Sequence, residues 1–176
     1  MQHMCVVEVI DKKVFPDFQQ KFLADPKSGA CPFYNVGDRF VFRRYGDDDT
    51  FWTVGNGSQC AEAWDCISRY IYTALQGGSI MRHWTNDERM MIACCNDGTR
   101  PVIFKIERLD YFAIYIDENP SEIDVKNSLK NVEGILSVNS YKDFFEVVID
   151  SHNPTISEGK IREAIEKSGF KINRID

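Results

Sequence analysis

All six cysteines of this 176-residue chain, Cys5, Cys31, Cys60, Cys66, Cys94 and Cys95, lie within its first 95 residues. No other feature constrains the fold as strongly, because a single shared core has no reason to confine thiols to one half of a chain. The tryptophans Trp52, Trp64 and Trp84 obey the same division. So does charge: 13 basic and 14 acidic residues precede Leu109, whereas 8 basic and 13 acidic residues follow from there on, so the second part carries −5 of the net −6. Composition therefore divides the chain into two domains, 1–109 and 110–176, with a boundary near 108–111. Each is of a size that folds around its own small core.

The residue balance excludes several classes. With 43% apolar and 27% charged residues, the chain is neither fibrous nor low-complexity. No block of Lys or Arg supplies the basic footprint that a phosphate backbone needs, so nucleic acid is not an expected partner. Apolar runs such as 5–7 and 90–95 are far short of the roughly 20 residues that span a bilayer, so no membrane is expected either. The opening MQHMCVVEVIDKK lacks a basic n-region and a small-residue cleavage site. The expected location is the cytoplasm, where six cysteines are reduced thiols rather than three disulfides.

The hydrophobic pattern predicts an α+β fold: a small N-terminal α+β domain with a C-terminal hairpin, then a βαββαβ ferredoxin-like domain. In the first domain, 4–10 is a β-branched strand, and Phe15, Phe18, Phe22 and Leu23 recur at spacings of three and four as the face of a short helix. A loop then delivers Cys31 towards a strand-like stretch holding Phe40 and Phe42. Ser58 stands as N-cap to a helix over 59–76, with Cys60, Trp64, Ile67, Ile71, Ala74 and Leu75 as its apolar face and Gly77-Gly78 at its end. Asn96-Asp97-Gly98 between two apolar runs signals a hairpin, with Pro101 early in its second strand or on an edge. In the second domain, 111–116 alternates as a strand, Ser121 and Asp124 form a capping-box start, Gly134 closes that helix, strands run over 135–141 and 144–149, Ser157 caps a second helix, and a last strand covers 170–175. Strand, helix, strand, strand, helix, strand is the split βαβ order.

Residues 110–176 resemble the heavy-metal-associated domain of copper chaperones and metal-transporting ATPases, through Val132-x-Gly134-Ile135-x-Ser137-Val138, the strand at 145–149, and Ile161-x-x-Ala164-Ile165-x-x-x-Gly169-Phe170. That resemblance implies a ferredoxin-like fold and, in the family, a Cys-x-x-Cys pair after the first strand. Here Asp117-Glu118-Asn119-Pro120-Ser121 stands in that place, so the copper site does not carry over. Residues 5–108 are similar to a family of small prokaryotic proteins of uncharacterised function. The similarity rests on Gly29-x-Cys31-Pro32, Cys60-x-x-Ala63-Trp64 and the run from Ile92 to Arg108, ACCNDGTRPVIFKIER at its core. It implies a thiol-bearing domain and names no reaction.

Three readings of the chemistry follow. In the first, Cys31, Cys60 and one of Cys94 and Cys95 converge on a thiolate-bound metal such as Zn or Fe, with His83 as a further candidate ligand, although no Cys-x-x-Cys spacing is present. In the second, Cys31 or Cys60 is a nucleophile, His83 its base, and Arg82 or Arg100 holds an anionic group in a pocket walled by Trp64 and Trp84. Cys60 is favoured because a helix N-terminus stabilises a thiolate. In the third, the thiol domain binds a small molecule and the acidic domain docks a protein partner or forms a homodimer. Each has a structural counterpart: Cys60 as a small core hydrophobe, Arg100 paired with Asp97 or Asp65, His83 on the surface. Cys5 is read as core, Cys66 as outside the Cys60 cluster on helical phase, and Asp47 to Asp49 as a solvated turn. Adjacent in a strand, Cys94 and Cys95 face opposite ways, so one of the two is buried.

Overall fold

A computed structural model describes residues 1–43, 51 and 60–176. Trp52, Ser58 and the Asp47 to Asp49 triplet therefore lie outside the described residues. The fold is α+β, and the chain forms two compact units, Met4–Arg108 and a second made of Met1–His3 with Leu109–Asp176.

In the 4–108 unit, β1 (Gln2–Lys12) lies between β2 (Arg39–Arg43) and the first part of β4 (Val102–Ile116), with β3 (Met90–Cys94) on the far side of β4. Antiparallel register sets Val6 against Val41 and Ala93 against Phe104. Along β4, Val102, Phe104 and Ile106 are buried while Ile103, Lys105 and Glu107 are half-exposed, the period of two that a sheet with one covered face imposes. Helix α2 (Ala61–Leu75) brings Ala63, Cys66, Ile67, Ile71 and Ala74 into the same core. Each fully buried Ile or Phe contributes about 1.5 to 3 kcal/mol relative to an exposed one. The helix ends at Gly77, whose φ of 72° suits glycine, and Arg108 Nη1 donates to the carbonyls of Gly77 and Gly78 at 2.5 and 2.9 Å. A cation there also answers the negative end of the helix dipole.

Three details depart from the expected pattern. Helix α2 starts at Ala61, with Cys60 as its N-cap residue in extended backbone and without a side-chain cap bond. Cys66, expected outside the Cys60 cluster, is 6% exposed and belongs to the core against which Cys60 packs; side chains in contact with a sheet cover a stripe wide enough to take both phases. Helix α1 (Pro16–Phe22) forms where the spacing places it, but Phe15, Phe18 and Phe22 are exposed and Gln19 is its one buried residue.

In the other unit, the second part of β4 pairs with β6 (Phe145–Ile149) on one side and β7 (Ile172–Ile175) on the other, and β5 (Ile135–Ser140) pairs with β6. The order β5-β6-β4-β7 is that of a split βαβ sheet, antiparallel throughout. Helices α3 (Glu122–Leu129) and α4 (Glu158–Lys167) place Val125, Leu129, Ile161 and Ile165 on the sheet residues Phe112, Ile114, Val138 and Val147. Ser121 and Asp124 make the reciprocal capping box, and Ser157 accepts from the Lys160 N–H. Helix α3 ends at Leu129, five residues before Gly134. Strand β4 is continuous over 102–116, so the strand read as starting near Tyr111 is the later part of the hairpin's second strand.

Candidate functional site

The thiols of the 4–108 unit are not scattered through separate cores. Cys5, Cys66 and Cys95 are members of one buried cluster, and Cys31, Cys60 and Trp64 pack against it, half-buried. Tyr34, 1% exposed, belongs to the same core, its ring centroid 6.0, 6.2 and 5.4 Å from those of Phe40, Phe51 and Phe104. Burial first, then the adjacent thiols of Cys60, Cys31, Cys95 and Cys66, push the Tyr34 hydroxyl well above the ordinary tyrosine range. Cys31, Cys60, Cys66 and Cys95, from a loop, a helix start, a helix interior and a hairpin end, thus all belong to or pack against the core that holds Tyr34.

Their environments differ, and so does what each can do. Burial pushes the Cys5 thiol up to about 12. Cys66 is also pushed up to about 12, by burial and then by Cys95 and Cys94, and its Sγ donates to the Ala63 carbonyl at 3.0 Å. Burial raises Cys95 too, and its sulfur accepts the Val102 N–H at 3.3 Å. These three are protonated core groups at neutral pH, since a thiolate in an apolar surrounding lacks solvation. Cys94, facing the other way along the strand end, is exposed. That leaves Cys31 and Cys60 as the half-buried thiols that both join the cluster and reach its surface. Trp64, one helical turn beyond Cys60, lies at a tilt to the buried rings of Phe51 and Phe42, 5.8 and 6.1 Å away, and is itself half-buried on the same core.

The remaining predicted site residues are placed elsewhere. Arg100 is a turn clamp: its Nε donates to Asp97 Oδ2 at 3.0 Å, while Asp97 Oδ1 accepts from Thr99 N, Thr99 Oγ1 and Arg100 N. Burial alone would raise the Asp97 carboxyl, but these bonds hold it below its ordinary value. Arg82 is exposed and pairs with Glu88 at 3.9 Å. His83 occupies the left-handed region at φ 61°, followed by Trp84, which is 74% exposed. Among the described residues no hydrogen bond joins His83 to a cysteine, and Trp84 is not part of the aromatic wall. Nor do three or more His, Cys, Asp or Glu side chains among the described residues come together to hold a metal ion. In the other unit, the Asp117 to Ser121 loop is tied to the segment before β7: Glu118 accepts the Lys171 N–H at 2.9 Å and Asp117 pairs with Lys171 Nζ at 3.7 Å.

Two polar features escaped the sequence. Tyr34 carries no motif, although it follows Cys31 by three residues. Asp110 is 2% exposed and bridges His3 Nδ1, at 2.7 Å, and the Ser151 hydroxyl, which donates to its other oxygen. His3 and Ser151 thus meet opposite oxygens of one carboxyl group, and the arrangement fastens three chain segments. A groove of about 750 Å³ between α3 and α4 is lined by Asn127, Asn131, Lys130 and Lys160 among others. No protein-family model matches the chain, and no curated protein or solved structure matches it.

Proposed function

We propose that the 4–108 unit binds a small, largely apolar ligand at a thiol-edged aromatic site, with Cys31 and Cys60 at its edge and Trp64, backed by the buried rings of Phe42 and Phe51, as its aromatic face. The 109–176 unit, with carboxylates where a Cys-x-x-Cys pair would stand in a heavy-metal-associated domain, serves as a docking module rather than a metal carrier. The observation that carries this reading is the graded exposure of the thiols on one core: Cys66 and Cys95 are buried in it, while Cys31 and Cys60 pack against it half-buried, as Trp64 does. A soft, polarisable sulfur edge on an aromatic surface favours apolar and aromatic ligands, with sulfur–aromatic contacts adding to ring stacking. Binding stands ahead of metal chemistry because two half-exposed thiols fall short of a thiolate metal's usual four ligands. It stands ahead of thiol catalysis because the base such a mechanism needs, His83, has no bond to either thiol.

Competitive alkylation tests it, with exposed Cys94 as an internal reference. N-phenylmaleimide and N-ethylmaleimide are compared at each cysteine by mass spectrometry. The phenyl reagent is expected to be favoured at Cys31 and Cys60, relative to Cys94, by about fivefold, the effect of an aromatic contact of about 1 kcal/mol. Trp64→Ala should abolish the preference. Equal reagent ratios at all three thiols would sink the aromatic site. Near one equivalent of zinc or iron in the purified protein, lost on Cys31→Ser or Cys60→Ser, would replace it with a metal centre.

A further inference from the structure

Helix α1 shows an aromatic stripe to solvent while burying a glutamine. Phe15, Phe18 and Phe22 are 40%, 46% and 67% exposed, and their rings follow one another at 5.7 and 6.3 Å. Gln19, 2% exposed, donates from Nε2 to the Gly29 carbonyl at 2.9 Å and accepts the Gly29 N–H on Oε1 at 3.0 Å. This two-way bond fixes which side of the helix faces the body of the unit. Upstream, the backbone N–H groups of Lys13 and Phe15 donate to Pro101 and Thr99 at 3.0 and 2.9 Å. The stripe is therefore held at its start and at its middle, and burying it in an interface orders little that is not already ordered.

We infer that α1 is a self-association surface, on which two copies of the chain pack their Phe15, Phe18 and Phe22 rings antiparallel about a two-fold axis near Phe18. The stripe is complementary to itself. Phe18 lies three residues after Phe15 and four before Phe22, so an antiparallel pair sets Phe18 against Phe18 of the other copy and each Phe15 against the other's Phe22. Charge agrees with that direction. Asp17 and Lys21 flank the stripe, and Lys21 Nζ stands 5.1 Å from the Phe22 ring. An antiparallel pair keeps the two charged flanks on one side of the interface and brings each Asp17 towards the other copy's Lys21, whereas a parallel two-fold pair sets these flanks on opposite sides and leaves the charges unpaired. A lipid surface fits less well, because an acidic chain with one lysine and one aspartate on this helix has no basic field to draw it to a membrane.

Area sets the strength. Three rings of roughly 200 Å² each, exposed to this degree, offer about 300 Å² per copy, against the roughly 800 Å² per partner of a stable interface. The association is weak and concentration-dependent, with half-dimerisation in the range of about 10 to 300 µM.

Sedimentation velocity of the full chain across that range tests the inference. Wild type should pass from monomer to dimer, and Phe18→Glu and Phe22→Asp should each weaken association at least about tenfold while leaving the circular dichroism spectrum and melting temperature unchanged. Orientation is tested separately: Asp17→Lys should weaken the dimer, and adding Lys21→Asp should restore it. A chain that stays monomeric to about 300 µM, whether or not it co-floats with phosphatidylcholine vesicles, overturns the proposal. So does a dimer indifferent to Phe18→Glu and Phe22→Asp, or one that the paired charge reversal fails to restore.

Discussion

Asp110 shows how much a single side chain can hold. At 2% exposure its carboxylate survives burial because His3 and Ser151 meet its two oxygens. Asp110→Ala leaves both partners without their acceptor, and a loss of about 2 to 4 kcal/mol in urea unfolding is expected. Ser151→Ala, which removes only a donor, should cost about 1 kcal/mol. An Asp110→Ala variant as stable as wild type would show the pair to be ornamental. Gln19 illustrates the same rule: a polar side chain takes a buried position when it satisfies backbone groups there, and the phenylalanines beside it yield the inward place.

At the scale of elements, the second unit is punctuated by local chemistry. The Ser121 and Asp124 side chains exchange bonds with each other's backbone N–H, so Ser121→Ala should lower stability by about 1 kcal/mol. Gly134 precedes β5 with φ 87°, and a Cβ built on it would stand 3.0 Å from the Asn153 amide nitrogen. Gly134→Ala carries both a backbone cost and a contact cost, about 1 to 3 kcal/mol together. The two are separable in thermal unfolding. Adding Asn153→Ala should return the contact part and leave the backbone part, and a double variant no better than the sum of its singles would contradict that division.

At the scale of the whole molecule, the buried thiols set an alkaline limit. An unfolded cysteine ionises near pH 8.5, whereas Cys5 and Cys66 are pushed up to about 12 in the fold. Between those values the unfolded chain binds fewer protons than the native one. The protonated thiols' contribution is therefore complete below about pH 8.5 and is lost as pH rises towards 12, by up to roughly 1.4 kcal/mol per pH unit for each thiol. Urea midpoints should fall steadily above pH 9, and Cys66→Ala should shallow that fall while lowering stability at pH 7. A Cys66→Ala profile parallel to wild type would contradict the assignment.

Much of this was legible in the residues. The hairpin at Asn96-Asp97-Gly98, the capping box at Ser121, the cap at Ser157 and the βαββαβ order all depend on interactions within a few positions along the chain, and local pattern is enough to read them. The opposed faces of Cys94 and Cys95 follow from strand geometry in the same way. What only the tertiary structure decided depends on residues far apart in sequence. Periodicity marks Phe15, Phe18 and Phe22 as a face, but whether that face turns inward is settled by Gln19 reaching Gly29. Helical phase separates Cys66 from Cys60, yet one core takes in Cys66 and supports Cys60. Tyr34 shares one core with Cys5, Cys66 and Cys95, and Asp110 anchors His3 across 107 positions, through packing that no window of the sequence contains. The sequence determined the elements because helix caps, turns and strand alternation are short-range physics; the structure decided the site because burial and electrostatic environment belong to the assembled core.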